Sequence, residues 1–314
     1  MLATKCIDIV LASYNGAEFI EEQLASIVNC NGYSHLIGRV IITDDFSSDK
    51  TKEIVSKFKD NKIQVFDNKL MKGPVGNFAY GLSISTAPFV MFADQDDVWF
   101  EDKILKFYEK AKLLDSNAPG VVYSDLILVD ENLNSLGCTF FENEKIPFDW
   151  GRNVSNLYFQ NVAPGCAMLL NRKCIDRIVP INSDKVMMHD WWALIFSSMY
   201  SNVFVINEPL VKYRQHSNNA VGASVSNGWG GFFIKAKKSW VNFHRAIVQL
   251  QHFYSQLSPE EIALMDDSAV KRLSFFNDYY KASFFQRSQS ATELSVYKSG
   301  LLRDLITRFF IIVG

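Results

Sequence analysis

Asp94, Asp96 and Asp97 crowd three carboxylates into the four residues Asp94-Gln95-Asp96-Asp97, directly after the apolar run Phe89–Ala93. Carboxylates this close repel one another and raise one another's pKa unless a cation neutralises them. Hard oxygen ligands suit Mg2+ or Mn2+, which keep coordination positions open for phosphate oxygens. A metal there would bridge a diphosphate and balance its charge as it leaves. The competing reading is an acidic helix start. A second pair, Asp44-Asp45, follows Val40-Ile-Ile-Thr43. Such a carboxylate accepts hydrogen bonds from a ribose hydroxyl or a uracil or thymine imide, or else caps the helix opening near Thr51. Tyr14 is a candidate to lie against a base face or to pack on the rim.

Met188-His189-Asp190-Trp191-Trp192 sets a carboxylate beside two indoles. Apolar surroundings raise a carboxyl pKa and its basicity, which suits a general base that deprotonates an attacking hydroxyl. The same segment also reads as a helix N-cap followed by core tryptophans. Tyr213-Arg-Gln-His-Ser-Asn-Asn219 carries Arg214 and His216 without a local acid. His216 is a candidate metal ligand and Arg214 a candidate bidentate phosphate partner; the alternative is a satisfied loop histidine. His35, His244 and His252 have no such company.

The elements that must position these groups alternate between two periods. Ile7–Ala12, Val40–Thr43, Ile63–Phe66 and Phe89–Ala93 read as buried strands. Between and after them come helical stripes: Phe19, Ile20, Leu24 and Ile27; Ile54, Val55 and Phe58; Asn77–Ile84; and Ile104, Phe107, Ala111 and Leu114. Asn15 with Glu18 resembles a capping box. Strands alternating with helices imply an α/β fold with a mostly parallel sheet covered on both faces. Ligands then bind at the carboxyl ends of the strands. Ser13-Tyr14-Asn15, Asp44–Asp49 and Asp94–Asp97 should therefore converge on one rim. Beyond residue 115 shorter strands are expected at Val121–Ser124, Cys166–Leu170 and Val203–Ile206. Past Gly222 a helical stripe runs through Phe232, Ala236, Trp240, Phe243, Ile247, Leu250 and Tyr254.

The chain has 314 residues, 48% hydrophobic and 21% charged, enough for a folded core. A net charge of −2 predicts no bulk attraction to nucleic acid. Pro209 to Pro259 holds no acid but six lysines and arginines, which favours an anionic partner or a basic solvated face. The cysteines are odd in number at five and scattered, which argues against a disulfide framework and fits a reducing compartment. No charged leader and no run of roughly 20 apolar residues is present, so a cytoplasmic location is expected, with peripheral contact at the membrane surface as an option. Phosphate-loop, dinucleotide-binding and nucleophile-elbow motifs are absent, which counts against ATPase, dehydrogenase and esterase chemistry.

The order of the motifs resembles the family 2 glycosyltransferases of GT-A fold. It is carried by Ala12-Ser-Tyr-Asn-Gly16, Thr43-Asp-Asp-Phe-Ser-Ser-Asp-Lys-Thr51, and Phe92-Ala-Asp-Gln-Asp-Asp-Val-Trp99, and covers about residues 5 to 220. The resemblance implies a nucleotide-sugar donor, with Asp45 on the pyrimidine base. Asp94 and Asp96 become the metal and diphosphate motif, and Asp190 the catalytic base. The family often has Glu before that base; here His189 stands there. On this reading Ala12, Tyr14, Asn15, Asp44, Asp45, Asn77, Asp94, Gln95 and Asp96 face the donor, with Asp94, Asp96 and His216 on the metal. Asp97, Trp99, Gly165, His189, Trp191 and Arg214 face the acceptor. The Gln-x-x-Arg-Trp motif of processive members is missing, so transfer of one sugar is expected. Asp94-Gln-Asp-Asp-x-Trp, Pro164-Gly-Cys-Ala-Met168, His189-Asp-Trp-Trp and Tyr213-Arg-Gln-His-x-x-Asn219 further resemble bacterial rhamnosyltransferases. That implies dTDP-L-rhamnose as donor, with a UDP-hexose as the alternative, and a glycan or polyprenyl-diphosphate-linked acceptor. A catalytically silent binding domain is a further alternative. Residues 1–222 are then the GT-A domain, split into a donor half (1–110) and an acceptor half (111–222). Residues 223–314 form a helical region that docks on an anionic membrane, on a second subunit or on the catalytic domain.

Overall fold

A computed structural model describes residues 5–216, 229–293 and 297–314, with backbone alone at 229–236 and 293. The expected boundary at Gly222, Asn219, and the side chains of Phe232 and Ala236 lie outside the described residues. β1 (Ile7–Ser13) is buried along almost its whole length and lies between β2 (Ile37–Asp44) and β4 (Phe89–Asp94), parallel to both. β3 (Ile63–Asp67) adds to β2. Val10, Ile41 and Val90 belong to the core on one face of this sheet, and Ile9, Leu11, Ile42 and Met91 to the core on the other. A strand buried on both faces needs a continuous apolar run, which is what these strands are. α1 (Ile20–Val28), α2 (Tyr33–Leu36) and α3 (Thr51–Ser56) follow β1 and β2, and α4 (Pro74–Ile84) precedes β4. Register brings the strand ends together: Ser13 sits opposite Asp44, and Ala12 opposite Asp94. The expected rim exists.

The second half completes a nine-stranded sheet in the order β3-β2-β1-β4-β8-β6-β9-β5, with β7 beside β6. β5 (Val98–Trp99) leads into α5 (Lys103–Ala111) and β6 (Val121–Val129). β7 (Ser135–Thr139) and α6 (Phe140–Glu144) follow, then β8 (Met168–Asn171), α7 (Arg172–Ile178), α8 (His189–Met199) and β9 (Val203–Arg214). β9 runs eight residues past the strand expected from the sequence. Its Glu208-Pro209 reads as a break, yet the ladder takes it up as an irregularity, with Pro209 opposite Asp125. The long β9 lets β5 pair with it, Val98 against Lys212 and Trp99 against Val211. That pairing carries Arg214 and His216 over the Asp94–Asp97 turn.

Asn15 and Glu18 do not form the expected capping box. α1 begins at Ile20 without a side-chain cap, and Asn15 instead adopts φ +46°, a left-handed conformation that asparagine tolerates. The C-terminal helices are α9 (Trp229–Ser255), α10 (Pro259–Ile262), α11 (Asp267–Asn277), α12 (Phe284–Glu293) and α13 (Leu301–Val313). The α9 stripe packs inward: Phe243, Ile247 and Leu250 are buried in the same core as Trp191 and Phe196. His252 stacks on Trp192 at 5.3 Å, Gln249 accepts from the Met187 amide at 2.8 Å, and Arg177 pairs with Glu261 at 2.9 Å. The stripe is therefore covered by α7, α8 and the segment before α8 rather than offered to a membrane.

Candidate active site

At the end of β2, both acids are held by the protein itself. Asp44 is fully buried and accepts from Ser13 Oγ (3.0 Å), from Ser47 N and Oγ (2.9 and 2.6 Å), and lies 3.3 Å from the Lys52 ammonium. Its lone pairs are spent on binding the loop to β1. Asp45 accepts from Asn68 Nδ2 (2.9 Å) and the Gly73 amide (2.8 Å), which fixes the loop after β3. Neither acid caps α3; Asp49, two residues before its start, accepts from the Thr51 amide at 3.0 Å and from the Ala17 amide. Asn15 accepts from the Ser48 amide at 2.9 Å. Asn77, expected on the donor side, is buried; it donates to the Ser13 carbonyl at 3.2 Å and leaves its own Oδ1 without a partner. Tyr14 keeps its ring exposed while its backbone pairs twice with the Gln95 amide, at 2.9 and 3.0 Å. A Cβ on Gly16 would collide with that Gln95 side chain. The Phe46 ring is also exposed, with the Lys72 ammonium 5.2 Å from its centroid.

The end of β4 is built differently. The three acids separate into two groups. Asp94, Asp97 and Cys166 bring possible ligand atoms within 4.8 Å of one another. Asp96 turns instead to His216, with Oδ2 3.0 Å from Nε2, and that imidazole stacks on Phe19 at 5.0 Å. Asp97, expected to face the acceptor, is fully buried; one oxygen accepts from the Arg214 amide at 3.2 Å and the other has no hydrogen bond. Burial first, then repulsion from neighbouring carboxylates, pushes Asp97 up to about 7 and holds Asp94 well above the usual carboxylate range. A carboxylate pair with an orphaned oxygen fits a divalent cation. Burial keeps the Cys166 thiol protonated, so the hard oxygens are the fitting ligands.

Arg214 does not present its fork to a phosphate. Its Nε donates to the Asp96 carbonyl at 2.7 Å, one Nη donates to the Glu131 carbonyl and the other meets Glu22 at 2.5 Å. The guanidinium braces the acidic turn. Trp99, another expected acceptor contact, is buried beneath the Lys103 ammonium, 3.6 Å from its ring centroid.

Asp190 stands in the first turn of α8, fully enclosed. Its Oδ2 accepts from the Gly165 amide (2.8 Å) and its Oδ1 from the Trp191 amide (2.5 Å). Burial raises its pKa to about 6 against the pull of these hydrogen bonds. The 3-10 turn Gly165–Ala167 thus touches both acidic groups: Gly165 holds Asp190, and Cys166 lies against Asp94 and Asp97. Gly165 has no room for a side chain, because a Cβ would sit 2.9 Å from His189 Nε2. His189 and Trp191, expected to face the acceptor, are buried. His189 stacks on Phe78 at 3.9 Å, has neither ring nitrogen bonded, and is driven down to about 3 by burial, so it is neutral. Trp191 donates to the Leu157 carbonyl at 2.7 Å in the core.

Residues 8–178 match the family model of glycosyl transferase family 2. The chain belongs to that family. Among relatives, the glycosyltransferase is 26% identical over 274 residues to the dTDP-rhamnosyl transferase RfbG of Shigella flexneri, covering 83% of this chain and 86% of the other. It is 24% identical over 211 residues to the UDP-Glc:alpha-D-GlcNAc-diphosphoundecaprenol beta-1,3-glucosyltransferase WfgD of Escherichia coli, covering 66% and 76%. Mannosyltransferase PcManGT of Pyrobaculum calidifontis, solved with GDP-Man and Mn2+, superposes with a TM-score of 0.54 at 15% identity, over 98% of this chain and 85% of that one. The fold is GT-A, with a mostly parallel central sheet, flanking helices and added C-terminal helices.

Sequence reasoning missed three groups in this glycosyltransferase. Gln23 donates from α1 to the Asp94 carbonyl at 2.9 Å. Phe46 was passed over beside the acids of its own loop. Lys103 is wholly buried: its ammonium donates to the Cys166 carbonyl, and burial lowers its pKa to about 7. On an amphipathic helix a lysine reads as a surface residue. The available signal was an aromatic four residues to either side, Trp99 and Phe107, both against the ammonium.

Proposed function

We propose that this glycosyltransferase transfers one sugar with inversion, L-rhamnose from dTDP-L-rhamnose, to a hydroxyl of a surface polysaccharide or lipid-linked glycan. The carrying observation is Asp190: a buried carboxylate with a pKa of about 6, fixed by two backbone amides and one turn of chain away from the Asp94–Asp97 pair. A base near neutrality is basic enough to take a hydroxyl proton yet unprotonated at working pH. Gly165 and Trp191 aim its free lone pairs, and the acceptor oxygen then attacks the anomeric carbon opposite the diphosphate. Asp94 and Asp97, with Asp96 and His216 beside them, are the residues to hold Mg2+ or Mn2+, which when bound would offset charge on the departing diphosphate. Tyr14 and Phe46 offer exposed rings to the base, and Asp45 keeps lone pairs beyond its bonds to Asn68 and Gly73 for a pyrimidine imide. Placement and electrostatics supply the rate.

The rhamnose reading is supported by the similarity to a rhamnosyl transferase over most of both chains. The glucosyltransferase relative favours a second reading, a UDP-hexose donor with a diphosphate-lipid acceptor. Residues 1–222 would do the chemistry at the cytoplasmic face of the membrane, and 223–314 would support them. The test is a donor screen: purified protein, Mg2+ or Mn2+, and dTDP-, UDP- and GDP-sugars, reading released nucleoside diphosphate. Release from dTDP-rhamnose alone supports the first reading. Release from a UDP-sugar alone transfers support to the second, and silence across the panel with lipid-linked acceptors present favours a binding domain.

A further inference from the structure

Lys103, the first residue of α5, is wholly buried and takes no part in the proposed transfer. Its ammonium lies 3.6 Å from the Trp99 ring centroid and 5.7 Å from that of Phe107. Among the described residues it makes no ion pair with a carboxylate; its hydrogen bond goes to the Cys166 carbonyl. Taking an ammonium out of water is costly, and a buried charge is ordinarily paired with an opposite one. Methionine has nearly the same length, suits two aromatic rings and carries no desolvation cost. Packing alone therefore gives no reason for a lysine here. The group it holds does.

Cys166 is the middle residue of the 3-10 turn Gly165–Ala167. Within that turn the Pro164 and Gly165 carbonyls accept from the Ala167 and Met168 amides, and the Cys166 carbonyl is left to Lys103. The Gly165 amide donates outward to Asp190, and the Cys166 thiol lies against Asp94 and Asp97. One short turn thus touches the carboxylate of α8 on one side and the acid pair of β4 on the other, and α5 grips it between them. Asp97, raised chiefly by burial, is drawn back in part by the same ammonium. An amine donates N–H to a carbonyl whether or not it carries the extra proton, so the grip does not depend on its charge state.

We propose that Lys103 is a positioning residue for the transfer: from α5 it pins the turn that aims Asp190 and that lies against Asp94 and Asp97. This rests on the reading of Asp190 as the base, so the test has one arm that needs no turnover. In that arm the full chain and its Lys103→Met variant are compared by amide hydrogen exchange. Exchange at Gly165 and Cys166 should rise about tenfold, while β1 and α8 keep their rates and the melting midpoint stays level or rises. In the second arm, turnover of dTDP-L-rhamnose and UDP-glucose is followed with Mn2+. Lys103→Met should lower kcat about a hundredfold with the donor KM within about threefold, the scale of a base displaced by about 1 Å. In an Asp190→Asn background the same substitution should cost nothing more, because its effect passes through that carboxylate. Unchanged exchange at Gly165, wild-type kcat in Lys103→Met, or a loss that adds in full to that of Asp190→Asn overturns the proposal. So does a lowered melting midpoint with faster exchange throughout β1, α5 and α8, since Lys103 would then serve the fold as a whole. Wild type silent on both donors, or Asp190→Asn turning over normally, defeats the transfer reading instead, and the exchange arm still decides whether Lys103 pins the turn.

Discussion

Two acidic strand ends flank β1 on one sheet, and the protein treats them in opposite ways. At β2, Asp44 and Asp45 receive hydrogen bonds from Ser13, Ser47, Asn68 and Gly73, together with the Lys52 ammonium. At β4, Asp94 and Asp97 face each other with a buried oxygen unpaired and their pKa values raised. Residue type and topological position are the same; the supply of donors differs. Satisfied carboxylates stabilise a loop, whereas unsatisfied ones hold the fold in a state that a ligand can relieve.

The largest effect expected from this contrast is at Asp190, the proposed base that the second group adjoins. Asp190→Asn is expected to lower kcat about 10²- to 10⁴-fold while nucleotide binding by calorimetry stays within twofold; normal turnover would sink the assignment. Replacing Asp94 and Asp97 by asparagine should weaken Mn2+-dependent binding of the nucleoside diphosphate about a hundredfold. Titration with and without metal checks this, and an equal loss in Asp44→Asn would erase the distinction between the strand ends. Next comes pH: only unprotonated Asp190 accepts a proton, so kcat/KM should fall about tenfold per unit below its pKa of about 6. A profile flat to pH 5 contradicts that.

The smallest effect separates the pairs by sign. Asp44→Asn breaks satisfied hydrogen bonds and should cost about 1–3 kcal/mol, lowering Tm by several degrees. Asp97 has its folded pKa raised, so its destabilisation is absent below the ordinary carboxylate range and grows as pH rises towards 7. Metal-free Asp97→Asn should accordingly melt about 2 °C higher than wild type at pH 8 and the same at pH 4. Calorimetric scans that move both variants in one direction refute the contrast.

Much of this was legible in the sequence because it rests on short-range signals. The buried strands β1, β2 and β4 announce themselves as continuous apolar runs, and their order places the rim. The motifs around Asp94 and Asp190 follow from strand-end and helix-start positions. What the sequence hides depends on partners far along the chain. Asp96 rather than Asp94 meets His216 because the two-residue β5 pairs with the end of β9, an association no local pattern encodes. Arg214 reads as a free cation until Glu22, Asp96 and Glu131 close around it. His189 and Trp191 read as site residues because they flank Asp190 in the sequence, but their rings pack into the core against Phe78, Phe92 and Leu157.

Gln95 has one more consequence. Its amide closes a two-bond ring on the Tyr14 backbone, and Gly16, with no Cβ, leaves room for it there. These bonds tie the loop beside the exposed tyrosine to the turn that carries Asp94 and Asp96. Whatever orders one of them lowers the ordering entropy left for the other. On the proposed function, a cation and a nucleotide bound on these two segments would be heterotropic ligands, each raising the affinity of the other by the same factor, whichever arrives first.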